Sequence, residues 1–346
     1  MKIVIDAFGG DNSPNAQITG GLNFLAQNND FSLIFTGDEA LIKKELDKYK
    51  YDASRVEIVH APEVISNEES PTAAIKTKKE SSMVKAFDIV KNDPDAVAML
   101  SSGSTGAILT GAVLKIGRIE GVLRPTLAPI LPTKLKKGVC LVDGGANVDC
   151  RPEYLVQFAL MGVCYMRAMS EIENPRVGLV SVGTEDKKGN ELSKAAFAAL
   201  KELPINFAGN MEARDALTGE YDLLVADGFA GNVLLKTVEG TAMMVMSRLK
   251  AAIMGSTSAK FGSLFMKKAF KQLKRDMDYN AYGGAPFLGI EKIVVKAHGA
   301  SNTAAIEAAL VQIKKMAKGD VVGNIKAEMQ KLQELQAANA ATADNA

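Results

Sequence analysis

The chain has few of the residues that mark several common functions. It holds only two histidines and three cysteines in 346 residues. The cysteines (Cys140, Cys150 and Cys164) are odd in number and show no CxxC spacing, which argues for free thiols in a reducing compartment. Neither His60 nor His298 has a second ligand at metal-binding spacing, so we expect no metal site.

Membrane-spanning and nucleic-acid-binding signals are also absent. No apolar run approaches the roughly 20 residues that a bilayer-spanning helix needs. The formal net charge is only +1, whereas nucleic-acid-binding proteins usually carry a dominant basic field. The first residues, KIVID, read as a strand and not as a signal peptide. We therefore expect a cytoplasmic protein that binds no nucleic acid.

Familiar nucleotide-binding and catalytic motifs are missing. The chain has no GxGxxG after a strand, no GxxxxGK[ST] and no GxSxG. These are the fingerprints of a dinucleotide site, a P-loop and a nucleophile elbow. A Ser–His–Asp triad has no motif to support it, and we expect chemistry without a cofactor.

Strand and helix patterns alternate along most of the chain. Strand patterns occupy Ile3–Ile5, Phe31–Phe35, Val56–Val59, Ala96–Leu100, Val139–Val142, Val177–Val182, Asp222–Ala226 and Lys292–Lys296. Helical patterns between them include Glu39–Tyr49, Thr72–Lys91, Pro152–Met169 and Asn302–Ala317. The alternation predicts an α/β fold, a three-layer αβα sandwich around a largely parallel sheet, as one domain of residues 1–319.

Four of the predicted strands end in turns rich in glycine, hydroxyls and acids. The most informative is LLVADGFAGNVLLK at 223–236, and related junctions are IVIDAFGGD from Ile3, AMLSSGSTGA from Ala98 and CLVDGGAN from Cys140. Ligands of parallel sheets bind beyond the carboxyl ends of the strands. The free amides at a helix start favour phosphate or another oxyanion. We expect the four junctions to line one cleft for an anionic substrate.

The junctions supply the candidate binding residues. These are Asp6, Gly9, Gly10, Ser101, Ser104, Thr105, Asp143, Asn147, Asp227 and Gly231. The acids that end strands, Asp143 and Asp227, are read either as helix caps or as ligand-orienting groups. Asn147 and Asn232 are read as N-caps or as amides that donate to an oxyanion. The spacing alone does not decide between these readings.

A loop after another strand, SVGTEDKKGNE at 181–191, carries Lys187 and Lys188. Two lysines before a glycine are typical of a solvated loop. The functional reading places one ammonium over the cleft, where it neutralises a phosphate or an oxyanion derived from a thioester. Both readings stay open.

Residues 231–277 read as helices without a strand, broken near Gly255, and predict a projecting helical hairpin. At about 100° per residue, its cationic side chains share an arc of about 120°. They are Lys267, Lys268, Lys271, Lys274 and Arg275, opposite Phe265, Met266, Phe270, Leu273 and Met277. Such a helix binds a membrane surface or an acidic partner, or packs in a core or dimer interface.

After Gly319 the chain becomes polar and alanine-rich and ends AANAATADNA. This composition predicts a tail over 320–346 that is a frayed helix and then partly disordered.

Nine segments of the chain form an ordered set of motifs. They are DAFGGDNSP at 6–14, ESPTAAIKTKKESSM at 69–83, SSGSTGA at 101–107, DGGANVDCRPEYLVQFALMG at 143–162, GTEDKKGN at 183–190, GNMEARD at 209–215, DGFAGNVLLKTVEG at 227–240, YGGAPFLG at 282–289 and HGASN at 298–302. This set resembles the motifs of the bacterial phosphate acyltransferases of phospholipid synthesis. The resemblance spans residues 1–317. It departs where SAGNTGA reads SSGSTGA, with Ser102 for alanine and Ser104 for asparagine. DAMGGD has Phe8 for methionine, and Lys76 stands where arginine is usual.

The resemblance implies transfer of a fatty acyl group from acyl carrier protein to inorganic phosphate. The acyl phosphate product then feeds glycerol-3-phosphate acylation. The resemblance also implies a fold like that of isocitrate and isopropylmalate dehydrogenases and phosphotransacetylases. It further implies a homodimer and loose attachment to the inner face of the cell membrane. Lys188 and Asn232 are the residues that it implies as catalytic.

Two other functions stay open at this point. One is a decarboxylating dehydrogenase on the same sandwich, which requires a nicotinamide site and usually a divalent metal. The other is an inactive scaffold for a carrier protein or membrane, for which Ser104 is the best clue.

Overall fold

Two parallel-rich β-sheets form the frame of the protein. The computed structural model describes residues 1–135, 137–170, 172–277 and 282–343, without the side chains of residues 264, 274, 275 and 339–343. Its strands are β1 (Lys2–Asp6), β2 (Ser32–Gly37), β3 (Val56–His60), β4 (Ala96–Ser101), β5 (Thr126–Leu127), β6 (Ile130–Pro132), β7 (Gly138–Val142), β8 (Val177–Ser181), β9 (Phe207–Glu212), β10 (Leu223–Val225), β11 (Ala285–Leu288) and β12 (Ile293–Lys296).

One sheet has seven strands in the order β3-β2-β1-β4-β12-β11-β5, and the other has five in the order β6-β7-β10-β8-β9. In the first sheet the neighbouring strands β3, β2, β1, β4 and β12 run parallel to one another. Strand β11 pairs antiparallel with β12, and β5 pairs antiparallel with β11. In the second sheet only β6 pairs antiparallel. The parallel strands of each sheet therefore end at one common edge.

Helices cover both sheets. They are α1 (Asn15–Gln27), α2 (Glu39–Leu46), α3 (Pro71–Thr77), α4 (Ser82–Asn92), α5 (Thr105–Gly111), α6 (Pro152–Ser170), α7 (Glu191–Lys201), α8 (Gly228–Met254), α9 (Thr257–Phe265), α10 (Lys267–Asp276), α11 (Thr303–Lys318) and α12 (Val321–Ala343). Helix α11 packs on β4 and β12, α6 packs on β7 and β10, and the two helices contact each other. The two sheets thus share one apolar core, in which Phe158 and Ile306 are fully buried.

The predicted α/β class with parallel-rich sheets is confirmed, but the expected single sheet is replaced by two. Four strands were not predicted, namely β5, β6, β9 and β11. Of these, β5, β6 and β11 have two to four residues, too few to show a pattern. The predicted helix Thr72–Lys91 divides into α3 and α4. Ser81 accepts a hydrogen bond from the Val84 amide and so starts a new helix.

The C-terminal residues depart from the predicted tail. Helix α12 continues to Ala343, and its first half buries Val321, Ile325, Met329 and Leu332. These residues recur every three or four positions, which forms one apolar stripe, and the helix packs against α6. The alanine-rich composition of the chain end hid this stripe, which belongs to the core, and the domain division at 319 stays a prediction.

Residues 228–276 form three successive helices without a strand, and the first of them ends just before Gly255, where the sequence predicts a break. Helix α8 begins at Gly228, before the predicted 231, and the chain breaks again at Met266, between α9 and α10. Phe265 therefore does not belong to the helix that carries Lys267 and Lys271, and its side chain is 93% exposed. The side chain of Lys274 lies outside the described residues. The projecting hairpin stays a prediction, and no described helix is long and apolar enough to cross a membrane.

Candidate active site

A cavity of about 270 Å³ opens where strands of both sheets end. Thr105 follows β4, Gly144 and Gly145 follow β7, and Asn232 lies on α8 after β10. All four line the cavity. Three of the four predicted junctions therefore meet at one place, as the carboxyl-edge rule predicts.

The junction after β1 contacts the junction after β4 but does not line the cavity. The Ser101 hydroxyl donates to the Asp6 carboxylate at 2.7 Å, and both side chains are buried. Burial raises the pKa of Asp6, against hydrogen bonds from Ser82, Ser101 and the Phe8 amide that lower it. A Cβ on Gly9 would lie 2.7 Å from the Gly103 nitrogen, so only glycine lets the two junctions touch. Asp6, Ser101, Gly9 and Gly10 lie outside the cavity lining.

Asp143 shapes the turn after β7. Its buried carboxylate accepts from the Leu127 amide at 2.9 Å and from the Asn147 amide at 2.6 Å. Burial raises its pKa, while these hydrogen bonds lower it. The Asn147 side chain donates to the Pro125 carbonyl at 2.8 Å and to Asp143 at 3.0 Å. Neither residue caps a helix or lines the cavity, and together they hold the turn that presents Gly144 and Gly145.

The start of α8 places Asn232. Asp227 is the helix cap, because its carboxylate accepts from the Ala230 amide at 2.8 Å. A Cβ on Gly231 would lie 1.9 Å from the Asp143 carbonyl oxygen, so the first turn of α8 packs directly on the β7 junction. Asn232 then lies against Gly145 with its side chain in the cavity. Asn232 is therefore not the N-cap of α8, and its role as a donor to an oxyanion stays a prediction.

Ser104 precedes the first residue of α5, half-buried, and its hydroxyl makes no capping hydrogen bond. The next residue, Thr105, is the one that lines the cavity.

A lysine that the sequence reading missed lies at the end of β12. Lys296 is half-buried and lines the cavity beside Lys236 and Glu239. Burial lowers its pKa, the Lys236 charge adds to that effect, and Glu239 opposes it. Lys236 is itself paired with Glu239 at 2.8 Å. Among the described residues, no hydrogen bond or ion pair holds the Lys296 ammonium, so a bound anion would be its natural counter-charge.

His298, two residues further on, also lines the cavity. Partial burial lowers its pKa, and the Lys296 charge adds to this, so the imidazole is neutral at pH 7. Its Nδ1 accepts from the Ala300 amide at 3.1 Å, which leaves the ring proton on Nε2. This histidine was not among the site residues predicted from the sequence. Lys296 is the last residue of the predicted strand Lys292–Lys296, and this position beside the motif HGASN at 298–302 is the signal that could have indicated it.

Lys188 lies in the loop after β8, the neighbour of β10 in the second sheet. Its side chain is 52% exposed, and its Nζ lies 4.0 Å from Oε1 of Glu185. It is not part of the cavity lining. Asn210 secures the loop by donating to the Glu185 carbonyl at 2.9 Å. The loop shares the carboxyl edge with the cavity, and a catalytic role for Lys188 stays a prediction.

Comparisons with known proteins agree with this architecture. A phosphotransacetylase from Streptococcus pyogenes superimposes with a TM-score of 0.60 over 92% of this chain and 94% of its own, at 15% identity. A putative 4-hydroxythreonine-4-phosphate dehydrogenase from Salmonella typhimurium gives a TM-score of 0.51 over 91% and 98%, at 11% identity. At such low identities the two likenesses show only a shared fold, the mixed α/β fold of phosphotransacetylases and dehydrogenases.

The family follows from sequence. The family model described as "Fatty acid synthesis protein" matches residues 1–324. A protein from Clostridium perfringens named phosphate acyltransferase is 47% identical over 96% of this chain and 97% of its own length. The chain belongs to this phosphate acyltransferase family, and it is an acyltransferase.

Proposed function

We propose that the chain transfers a fatty acyl group from the thioester of acyl carrier protein to inorganic phosphate. The observation that carries the proposal is the cavity itself. It collects an amide donor on Asn232, a hydroxyl on Thr105 and the ammonium of Lys296 at the ends of strands from both sheets. The phosphate acyltransferase name of the relatives and the carrier-protein donor implied by the motifs support the substrates.

The reaction is a single displacement in this proposal. A phosphate oxygen attacks the thioester carbonyl carbon, so that a C–O bond forms and the C–S bond breaks. The products are acyl phosphate and the thiol of the carrier, which receives the proton of hydrogen phosphate. Because a thiol has a pKa near 8.5, the leaving thiolate needs little acid assistance.

The main barrier is the approach of two electron-rich groups. Lys296 offsets the phosphate charge, and its low-dielectric position strengthens that attraction. The Asn232 amide donates to the carbonyl oxygen as negative charge develops there, beside the backbone of Gly144 and Gly145. The exposed side chain of Lys188 supplies a second positive charge from the neighbouring loop. Holding both reactants in one cavity lowers the entropic part of the barrier.

Variants of the proposed catalytic residues test this function. Asn232→Ala is expected to lower turnover by about 10²–10³, the usual effect of losing one oxyanion donor. Lys188→Ala is expected to lower it as well, with Lys187→Ala in the same loop as the matched control. Normal turnover in folded Asn232→Ala and Lys188→Ala would refute the assignment.

The wider setting belongs to the same proposal. The acyl phosphate serves phospholipid synthesis, as the motifs imply, and it is an amphiphile. We infer that the protein acts in the cytoplasm as a homodimer and binds loosely to the inner face of the cell membrane. The exposed Phe265 and the basic residues Lys267 and Lys271 of α10, with Phe270 half-buried among them, offer a surface for lipid or for the acidic carrier.

A further inference from the structure

A second cavity, of about 710 Å³, lies on the other side of α8. It is open to solvent and is lined by α8, by residues 131–134 at the end of β6, by residues near 214 after β9, and by the end of α10. Ligand-binding cavities usually measure about 300–1,000 Å³ and are mainly apolar. The size therefore suits one small molecule or one chain of a larger one.

The walls of this second cavity are mostly aliphatic. Its principal apolar residues are Leu131, Leu217, Leu234, Val238, Ala242 and Val245. The last four lie at three- or four-residue spacing on α8 and form one stripe. With a rise of about 1.5 Å per residue, the stripe extends about 16 Å along the helix. The polar groups Lys134, Arg214 and Asp276 also contact this space, so its shape is elongated, apolar and edged by charge.

The second cavity adjoins the candidate active site. Leu131 and Glu239 line both spaces. Asn232, Leu235 and Lys236 face the active-site cavity, whereas Leu234 and Val238 face the apolar one. The two cavities therefore share a wall at Leu131 and Glu239, and the aliphatic stripe lies on the far side of that wall from Asn232.

We propose that the apolar cavity binds the hydrocarbon chain of the acyl donor and sets the chain length that the enzyme accepts. The inference rests on the proposed function, because it takes the reacting carbonyl to lie at Asn232. The candidate active site, at about 270 Å³, is smaller than the roughly 300–1,000 Å³ of a usual ligand cavity, so it has too little room for a long chain beside phosphate. The adjoining apolar cavity supplies that room, and each methylene buried there changes affinity by about fourfold.

Chain-length selectivity tests the proposal. Ala242→Phe and Val238→Phe place a ring in the cavity, whereas Met243→Phe is the control, since Met243 is 69% exposed and outside the lining. Loss of space for about two methylenes is expected to lower kcat/KM for a palmitoyl donor by about 10- to 20-fold relative to a butanoyl donor. The control should keep the wild-type ratio. An unchanged ratio in both cavity variants, or an equal loss with both donors, would overturn the proposal.

A second measurement does not depend on turnover. The natural chain contains no tryptophan, so Val245→Trp places a single indole at the cavity, and Met243→Trp places one beside it on the surface. Palmitate is expected to give a saturable blue shift of the emission from Val245→Trp and none from Met243→Trp. A missing or equal response would contradict the proposal. An emission shift that appears without palmitate and depends on protein concentration would also contradict the proposal. Such a shift would show that a second copy of the protein covers this face. If the protein binds palmitate in this cavity but transfers no acyl group to phosphate, the proposed function is refuted and the proposed acyl-chain site is not.

Discussion

Replacing Lys296 by methionine tests the electrostatic part of the account. The substitution keeps most of the side-chain volume and removes the charge that faces the cavity. A hydrogen bond to a charged group contributes about 1.5–3 kcal/mol, which corresponds to about 10- to 150-fold in binding. We therefore expect the KM for phosphate to rise by that factor.

The same substitution should not unfold the protein. The pKa of Lys296 is lowered in the folded state, so below that pKa its charge lowers the free energy of unfolding. Stability rises with pH between the lowered pKa and the ordinary value of 10.5, because the unfolded chain then binds more protons. Lys296→Met removes this unfavourable charge, and the melting temperature should stay equal or rise.

The assay follows free-thiol release from a palmitoyl-carrier thioester across a range of phosphate concentrations. Lys292→Met is the matched control, because Lys292 directly precedes the same strand and donates to the Ala96 carbonyl away from the cavity. A KM for phosphate within twofold of wild type in folded Lys296→Met would refute the role of this ammonium.

Further predictions concern pH, the C-terminal helix and the membrane. Phosphate affinity should decline with rising pH before pH 10.5, since loss of the Lys296 proton at its lowered pKa removes the counter-charge; a decline only above 10.5 would contradict this. Ile325→Ala should lower the free energy of unfolding by about 2–5 kcal/mol in denaturant titrations, because Ile325 is buried. Gln330 is exposed, and Gln330→Ala should change the free energy of unfolding by less than about 0.5 kcal/mol. Equal effects of the two substitutions would disprove the packing argument. Phe265→Glu should weaken sedimentation with anionic vesicles, whereas Leu114→Glu, at another exposed apolar position, should not. Unchanged binding would remove Phe265 from the membrane surface.

Much of the fold was predictable because long buried strands have a strong local signal. Strands β1, β2 and β4 are runs of aliphatic residues that end in turn residues. Strand β9, FAGNME, contains glycine and asparagine and was missed. The division into two sheets depends on which strands pair across long stretches of chain, and no local pattern carries that information.

Part of the candidate site was predictable for a similar reason. Glycine-rich junctions at strand ends indicated where the cavity forms, and Thr105, Asn232 and the Gly144–Gly145 turn line it. The same pattern also selected Asp6 and Asp143, which brace the loops from inside. Caps, braces and ligand contacts use the same residue types, so only the three-dimensional structure separates them. Lys296 was missed because it ends a predicted strand, whereas the predicted binding residues belong to the glycine-rich turns after the strands.

The most direct test of the central claim is the phosphate dependence of the first turnover. The enzyme is mixed in molar excess with a palmitoyl-carrier thioester, first without phosphate and then with it. Direct attack by phosphate predicts no thiol release without phosphate, and release matched by one equivalent of hydroxylamine-trappable acyl phosphate once it is added. Thiol release without phosphate, with the acyl group retained on the protein, would contradict the account.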